Sequence, residues 1–191
     1  MSQNNFQCYN CGELNEPNSL FCRSCKFVQP PMQGDHFTRL GVDKTYSVDK
    51  SALESKYFAL QRLLHPDLFI QKSEIEKNFA FKHTLLLNEA YNIIKSPLKR
   101  SEYLLKLNNI KVNSDDADAV KPEMELLDEI FELQTKISDN EDNSNIIWQE
   151  IREQKNQICE ELDNLFDKKE YLKAAHNTIR LHFLEKLNQH H

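Results

Sequence analysis

Glycine is nearly absent: three residues among 191, at Gly12, Gly34 and Gly41. No glycine-rich loop is therefore available to cradle a phosphate or line an oxyanion hole. No nucleophile is suggested beside His65, the chain's most suggestive titratable residue. The chain reads as a binding protein rather than an enzyme in its own right. Leucine, lysine, glutamate and asparagine dominate instead, a composition that favours long helices joined by polar loops. Long apolar runs are missing too. No stretch reaches the roughly eighteen residues that a membrane-spanning helix needs, so the chain reads as soluble and without a membrane partner. The opening residues Met1 to Gln7 contain no arginine and no amphipathic pattern, and no signal peptide precedes the cysteines. Either the chain is cytosolic, or a presequence has been removed from this numbering.

Cysteine is limited to five residues, and four of them form two CxxC pairs, Cys8/Cys11 and Cys22/Cys25, ten residues apart. This is no secreted disulfide framework. Two residues between cysteines let both thiolates converge on one tetrahedral ion, and Gly12 eases the turn after the second ligand. The pattern predicts one structural zinc ion on Cys8, Cys11, Cys22 and Cys25 in a small knuckle module over residues 1–30. Metal binding should supply most of that module's folding energy, because so short a segment has little apolar core. The competing readings are two disulfides or a redox pair.

The charge is unevenly divided. Residues 36–110 carry twelve basic and eight acidic side chains, whereas residues 111–191 carry ten basic and nineteen acidic. A middle of net +4 and an end of net −9 suggest two surfaces built for different partners. The knuckle offers only Arg23 and Lys26 as cations, too few to grip phosphates, so no nucleic acid is expected.

Val28 to Gly34, with adjacent prolines and a glycine, reads as a linker. Asp35 to Val42 predicts a short helix closed by Gly41. Ser47 or Asp49 can cap the next helix, whose core stripe is Leu53, Tyr57, Leu60 and Leu64, with Lys50, Lys56 and Arg62 on the other faces. His65-Pro66-Asp67 then forces a stop, since Pro66 lacks an N–H and pushes His65 out of helical backbone angles. Ser73-x-x-Glu76 is a capping box opening a long helix with the stripe Ile75, Phe79, Leu86, Ala90 and Ile93. A short helix near Arg100 to Leu107 follows, carrying Tyr103, Leu104 and Leu107. Two helices joined by a rigid polar corner make an αα-hairpin.

These elements around His65-Pro66-Asp67 resemble the J-domain, over roughly Asp35 to Leu107 and assigned here to residues 35–108. The resemblance implies that the tripeptide and the preceding basic helix engage the ATPase domain of a DnaK-class heat-shock chaperone and stimulate its ATP hydrolysis. It puts His65, Pro66 and Asp67 in that role, with Lys56 and Arg62 as helix-borne contacts. A positive helix with a rigid polar tip suits an acidic partner surface.

Asn108 to Val120 turns polar and acidic, a linker before a second unit over residues 120–191. From Pro122 a helix carries one stripe of Leu126, Ile130, Leu133 and Ile137, and a second of Met124, Leu127 and Phe131 beside Asp128. One helix in a small bundle rarely buries both, so one stripe is expected to be exposed; the alternative is that Met124, Leu127 and Phe131 are core. A polar loop, Ser138 to Asn145, precedes a long helix with Ile147, Ile151, Ile158, Leu162 and Leu165 in register. Trp148 is expected half-buried, and Cys159 inert. A last helix near Glu170 to Leu187 offers Leu172, Ala175, Ile179, Phe183 and Leu187, completing a three-helix bundle. The expected fold is all-α: a J-domain hairpin and a C-terminal three-helix bundle behind the zinc knuckle.

A J-domain followed by an acidic three-helix bundle resembles the HscB-type iron–sulfur cluster co-chaperones over nearly the whole chain. The segments Ala90-Tyr91…Pro97-Leu98-x-Arg100-x-x-Tyr103-Leu104-Leu105 and Phe183-Leu184-Glu185-Lys186-Leu187 sharpen it, and the cysteine knuckle looks like the extra module of many eukaryotic members. The lack of a Gly/Phe-rich segment and of CxxCxGxG repeats disfavours a general-purpose DnaJ. The resemblance implies that the bundle binds the iron–sulfur scaffold protein through Met124, Leu127 and Asp128, joined by Phe183 from the last helix. Phe131 is added because it continues the stripe. The family usually has an apolar residue where this chain has Glu123. The implied function is scaffold delivery timed by chaperone ATP hydrolysis, and the implied location is the mitochondrial matrix. The runner-up is a J-protein for a different client. A zinc-ribbon nucleic-acid binder is the third reading, against which the net −9 of residues 111–191 argues.

Overall fold

The computed structural model describes residues 6–17, 19–31, 33–112, 115–139 and 144–187. Among them the chain forms two short strands and seven helices, and it divides into two compact units. The first holds residues up to Lys44 and Val48–Lys95; the second holds Thr45–Ser47 and everything from Ser96. Among the described residues no helix is long and apolar enough to cross a membrane.

The first unit opens with a two-stranded antiparallel ribbon, β1 (Phe6–Gln7) and β2 (Leu14–Asn15). Helix α1 (His36–Leu40) is capped by the Asp35 carboxylate, which accepts from the Thr38 N–H at 2.8 Å, and is closed by Gly41 at φ 64°. The left-handed cap favours glycine because it has no Cβ to clash. Helix α2 (Lys50–Leu63) starts at Asp49, the cap of the two residues considered for that role. After a 3₁₀ turn at Pro66–Phe69 comes α3 (Glu74–Lys95). The expected capping box forms: Ser73 Oγ accepts from the Glu76 N–H at 3.3 Å, and the Glu76 carboxylate accepts from the Ser73 N–H at 3.2 Å. Helices α2 and α3 are tied by the stacked rings of Tyr57 and Tyr91, 3.9 Å apart, and by Tyr57 donating to Asn88 at 3.0 Å.

Two expectations are corrected here. The buried face of α3 is Glu76, Ala80, Leu87, Ala90 and Ile94. Ala90 is buried as expected, but the others each fall one residue after Ile75, Phe79, Leu86 and Ile93, of which Ile75 is exposed and the rest half-buried. The capping box draws Glu76 inward and fixes that rotation. Val28 and Gln29, placed in a linker by sequence, are fully buried. Phe21 pairs with Val28 across an antiparallel bridge, and Val28 packs with Phe69 and Ala80, flanked by Phe21 and Phe79. The residue Met32 of that segment lies outside the described residues.

The second unit is helical throughout its described elements: α4 (Pro97–Leu107), α5 (Met124–Asp139), α6 (Ser144–Asp167) and α7 (Tyr171–Leu187). Ser96 caps α4 and Pro97 takes its first turn, which moves the start three residues earlier than expected. Helices α4, α5 and α6 pack against α7. The bundle core includes Ile130, Leu133, Ile137, Ile151, Ile158, Leu162, Ala175, Ile179 and Leu187, as the periodicity predicted, whereas Leu172 is exposed. Trp148 is half-buried, as expected. Arg100 is buried and lies over the ring of Tyr46 at 4.9 Å, and Tyr46 stacks on Phe166. Both ends of the expected loop Ser138–Asn145 are helical: α5 runs through Asp139 and α6 begins at Ser144, while residues 140–143 lie outside the described ones.

Candidate functional site

Three places gather the chemistry. The first is the cysteine cluster. Each CxxC pair ends in a left-handed residue, Gly12 at φ 74° and Lys26 at φ 60°. In each knuckle that residue's N–H bonds back to the first cysteine's carbonyl at 3.0 Å. The two turns repeat one backbone design, once with glycine and once at the steric expense of a side chain. The result brings the sulfurs of Cys8, Cys11, Cys22 and Cys25 within 4.8 Å of one another, with Cys8–Cys25 and Cys11–Cys22 at 3.7 Å. A disulfide needs about 2 Å, and all four thiols are free.

The cluster can hold a metal ion, and its surroundings favour the thiolate at Cys22 and Cys8. At Cys11 the Glu13 N–H lowers the thiol, but the neighbouring sulfurs, Cys25 first, and burial outweigh it and push it up to about 12. Burial pushes the Cys22 thiol up, but the N–H groups of Cys25 and Ser24 and the Asn15 amide outweigh it and bring it to about 6. Burial opposes ionisation at Cys8 as well, yet N–H donation from Cys11 and Asn10 lowers it. Asn15 and Gln29 were not among the sequence candidates. Asn15 Nδ2 donates to Cys22 Sγ at 3.7 Å and Gln29 Nε2 to Cys8 Sγ at 3.3 Å. Only a fold that closes over the sulfurs places these amides there, so spacing alone carried no signal for them.

The second place is the corner. His65 takes an extended backbone (φ −57°, ψ 132°), as the following proline demands, and is exposed, as are Pro66 and Asp67. Its Nδ1 accepts from the Asp67 N–H at 3.3 Å and stands 3.5 Å from the Asp67 carboxylate. With Nδ1 accepting, Nε2 carries the ring's hydrogen and is the donor left for a partner. Arg62 lines a groove of about 330 Å³ with His65, Pro66, Phe58, Gln61, Leu64 and Thr84. Lys56 does not join them: its ammonium donates to the Gly41 carbonyl. Leu63, Leu68 and Ile70 are exposed around the corner, off the core stripe of α2 that helical spacing marks.

The third place is α5. Met124 and Phe131 are 70 % and 69 % exposed, Leu127 is 37 % exposed and Asp128 is exposed, while Ile130, Leu133 and Ile137 are buried. Of the two stripes, the second is therefore the one left to solvent. Glu123, the residue out of pattern, sits with its carboxylate 3.1 Å from His176 Nδ1 on α7. Arg180 pairs with Glu129 at 2.5 Å. His176, Arg180 and half-buried Phe183 follow at i, i+4 and i+7, one face of α7, which puts Phe183 on the side turned to α5.

Residues 122–190 match the family model described as the HSCB C-terminal oligomerisation domain. The mouse iron–sulfur cluster co-chaperone protein HscB is 31 % identical over 189 residues, covering 96 % of this chain and 80 % of the mouse protein. The Arabidopsis thaliana homologue is also 31 % identical, covering 97 % and 73 %. The crystal structure of human co-chaperone protein HscB superposes with a TM-score of 0.85 at 28 % identity, over 96 % of this chain and 95 % of that one. At that identity over nearly the whole chain, the chain belongs to the HscB family of iron–sulfur cluster co-chaperones.

Proposed function

We propose that this protein is a two-ended adaptor that holds an iron–sulfur scaffold protein on its bundle and stimulates a DnaK-class chaperone ATPase with its corner. The observation that carries the reading is the exposed stripe Met124, Leu127, Asp128 and Phe131 on a helix whose opposite face is buried. Large apolar side chains left in water beside a carboxylate suit a partner that covers them. At the other end, His65, Pro66 and Asp67 would meet the chaperone, with Arg62 beside them in the same groove. Lys56, engaged at Gly41, would have to exchange that contact for one with the chaperone. Residues 35–108 would act as the J-domain and residues 120–191 as the scaffold-binding domain. The protein would supply binding energy and orientation, the chaperone its own hydrolysis of ATP, and the scaffold its cluster as cargo.

The ion at the cysteines would be zinc. A zinc–sulfur bond of about 2.3 Å places tetrahedral ligands about 3.8 Å apart, against 3.7 Å for two of the sulfur pairs here. Four thiolates close the coordination sphere, so the ion would serve structure on residues 1–30 rather than chemistry. The location that goes with this reading is the mitochondrial matrix.

The test is steady-state ATP hydrolysis by a DnaK-class chaperone. Wild-type protein should stimulate it and His65→Gln should not, with thermal stability unchanged because the ring is exposed. Stimulation by His65→Gln equal to wild type would overturn the corner's assigned role.

A further inference from the structure

The buried pair Val28 and Gln29 ties the cysteine cluster to the helix that follows the corner. Gln29 uses both ends of its amide inside the knuckle: Nε2 donates to Cys8 Sγ at 3.3 Å and to the Phe27 carbonyl at 2.7 Å, and Oε1 accepts from the Tyr9 N–H at 3.0 Å. Its backbone carbonyl leaves the knuckle and bonds to His83 Nε2 on α3 at 2.9 Å. Since a carbonyl only accepts, His83 is the donor. One residue earlier, Val28 packs on Phe69, the last residue of the turn that Pro66 begins, and on Ala80 of α3.

The links continue beside the ligands themselves. Tyr9, next to Cys8, meets the ring of Phe79 edge-on at 5.2 Å, and Phe21, next to Cys22, packs against the Val28, Phe69 and Ala80 cluster. Tyr9 and Phe21, each next to a cysteine, and Gln29, bonded to the Cys8 sulfur, thus join Val28 in linking the knuckle to α3. Among the described residues, the knuckle's own strands are two, of two residues each. Without a shared ion it has little to keep Tyr9, Phe21, Val28 and Gln29 in place.

We propose that metal at the cysteine cluster positions the His65–Asp67 corner through Gln29, Val28 and His83, making the knuckle a metal-dependent support for the chaperone-facing end. Gln29 is a positioning residue here, acting on the corner through Phe69 and α3. The proposal rests on the zinc and corner readings above and adds their coupling. Loss or oxidation of the cluster would loosen the corner while leaving the helical bundle of the second unit intact.

Hydrogen exchange on the full chain tests it. Zinc-loaded protein is compared with protein stripped by chelator under reducing, anaerobic conditions, following peptides over residues 66–83 and, as an internal control, α5–α7. The expected result is exchange at least tenfold faster over residues 66–83 after stripping, with α5–α7 unchanged. In zinc-loaded Gln29→Leu, the lost N–H···S bond should weaken zinc affinity by about tenfold, the low end for such a supporting contact. It should also raise exchange over residues 66–83 and shift the thiolate-to-metal absorption of the cobalt-substituted protein. Stoichiometric zinc with the same exchange in both states would overturn the coupling while leaving the zinc reading intact. Faster exchange across α5–α7 as well would also overturn it, because the metal would then hold the whole fold. A chain that takes up no zinc would overturn the zinc reading and the coupling together.

Discussion

Truncating the exposed stripe of α5 tests the proposed scaffold contact at little expected cost to folding. Met124 and Phe131 are 70 % and 69 % exposed, so about a third of each side chain is covered within the free protein. Fully burying such a side chain is worth about 1.5–3 kcal/mol, which limits the stability loss to about 0.5–1 kcal/mol per alanine. The uncovered remainder is what a scaffold protein would bury. An aromatic side chain carries about 150–250 Å². Two thirds of that, at about 25 cal/mol per Å², gives roughly 2.5–4 kcal/mol before ordering costs. A net loss of about 2 kcal/mol at Phe131, some thirtyfold in Kd, is therefore expected. Met124→Ala/Phe131→Ala should bind the scaffold protein at least a hundredfold more weakly by calorimetry while melting within a few degrees of wild type. As a control, Leu133→Ala on the buried face should lose about 2–5 kcal/mol of stability, and any loss of binding there would follow from unfolding. Wild-type affinity in the double variant would refute the patch, and a collapsed melting temperature would refute its exposure.

Other expectations follow from local geometry. Lys26→Gly should stabilise the zinc-loaded protein by about 0.5–1 kcal/mol in chemical denaturation, because the left-handed residue after Cys25 then matches Gly12 in the first knuckle. Protein purified without chelator should contain one zinc per chain by elemental analysis, and chelation should release it with loss of order in the knuckle. At Asp35, burial raises the carboxyl, but the Lys44 ammonium at 2.6 Å and the Thr38 N–H and hydroxyl overcome it, so the folded value lies below the ordinary one. Its stabilisation is full above the unfolded value of about 4 and is lost as pH falls through the lower folded value. Asp35→Asn should keep the cap, lose the Lys44 attraction, and flatten the acid end of a stability-against-pH curve below about pH 4; an unchanged curve would count against that ion pair.

Much of this architecture is legible in the sequence, and the exceptions have physical causes. The corner was legible because proline geometry is local: no neighbour is needed to take His65 out of helical angles. The two stripes on α5 were legible because helical spacing places Leu133 and Phe131 on different faces whatever the partner. The buried face of α3 was not, since Ile75, Phe81 and Leu85 are all apolar yet exposed, and the rotation was decided by Glu76 turning inward. Val28 and Gln29 were misread because the prolines after them mark a turn correctly, while burial of the glutamine makes sense only beside a sulfur and a histidine fifty-four residues away. Fold class and family came from local pattern; the coupling between knuckle and corner came only from tertiary contact.

The measurement that bears most directly on the two-ended adaptor is single-turnover ATP hydrolysis by the chaperone with scaffold protein and this chain present together. Wild type should stimulate hydrolysis more with scaffold than without. Met124→Ala/Phe131→Ala should keep the scaffold-independent part and lose the increment, and His65→Gln should lose both. An increment that survives in the double stripe variant would contradict the account, because the two ends would then not be joined through this protein.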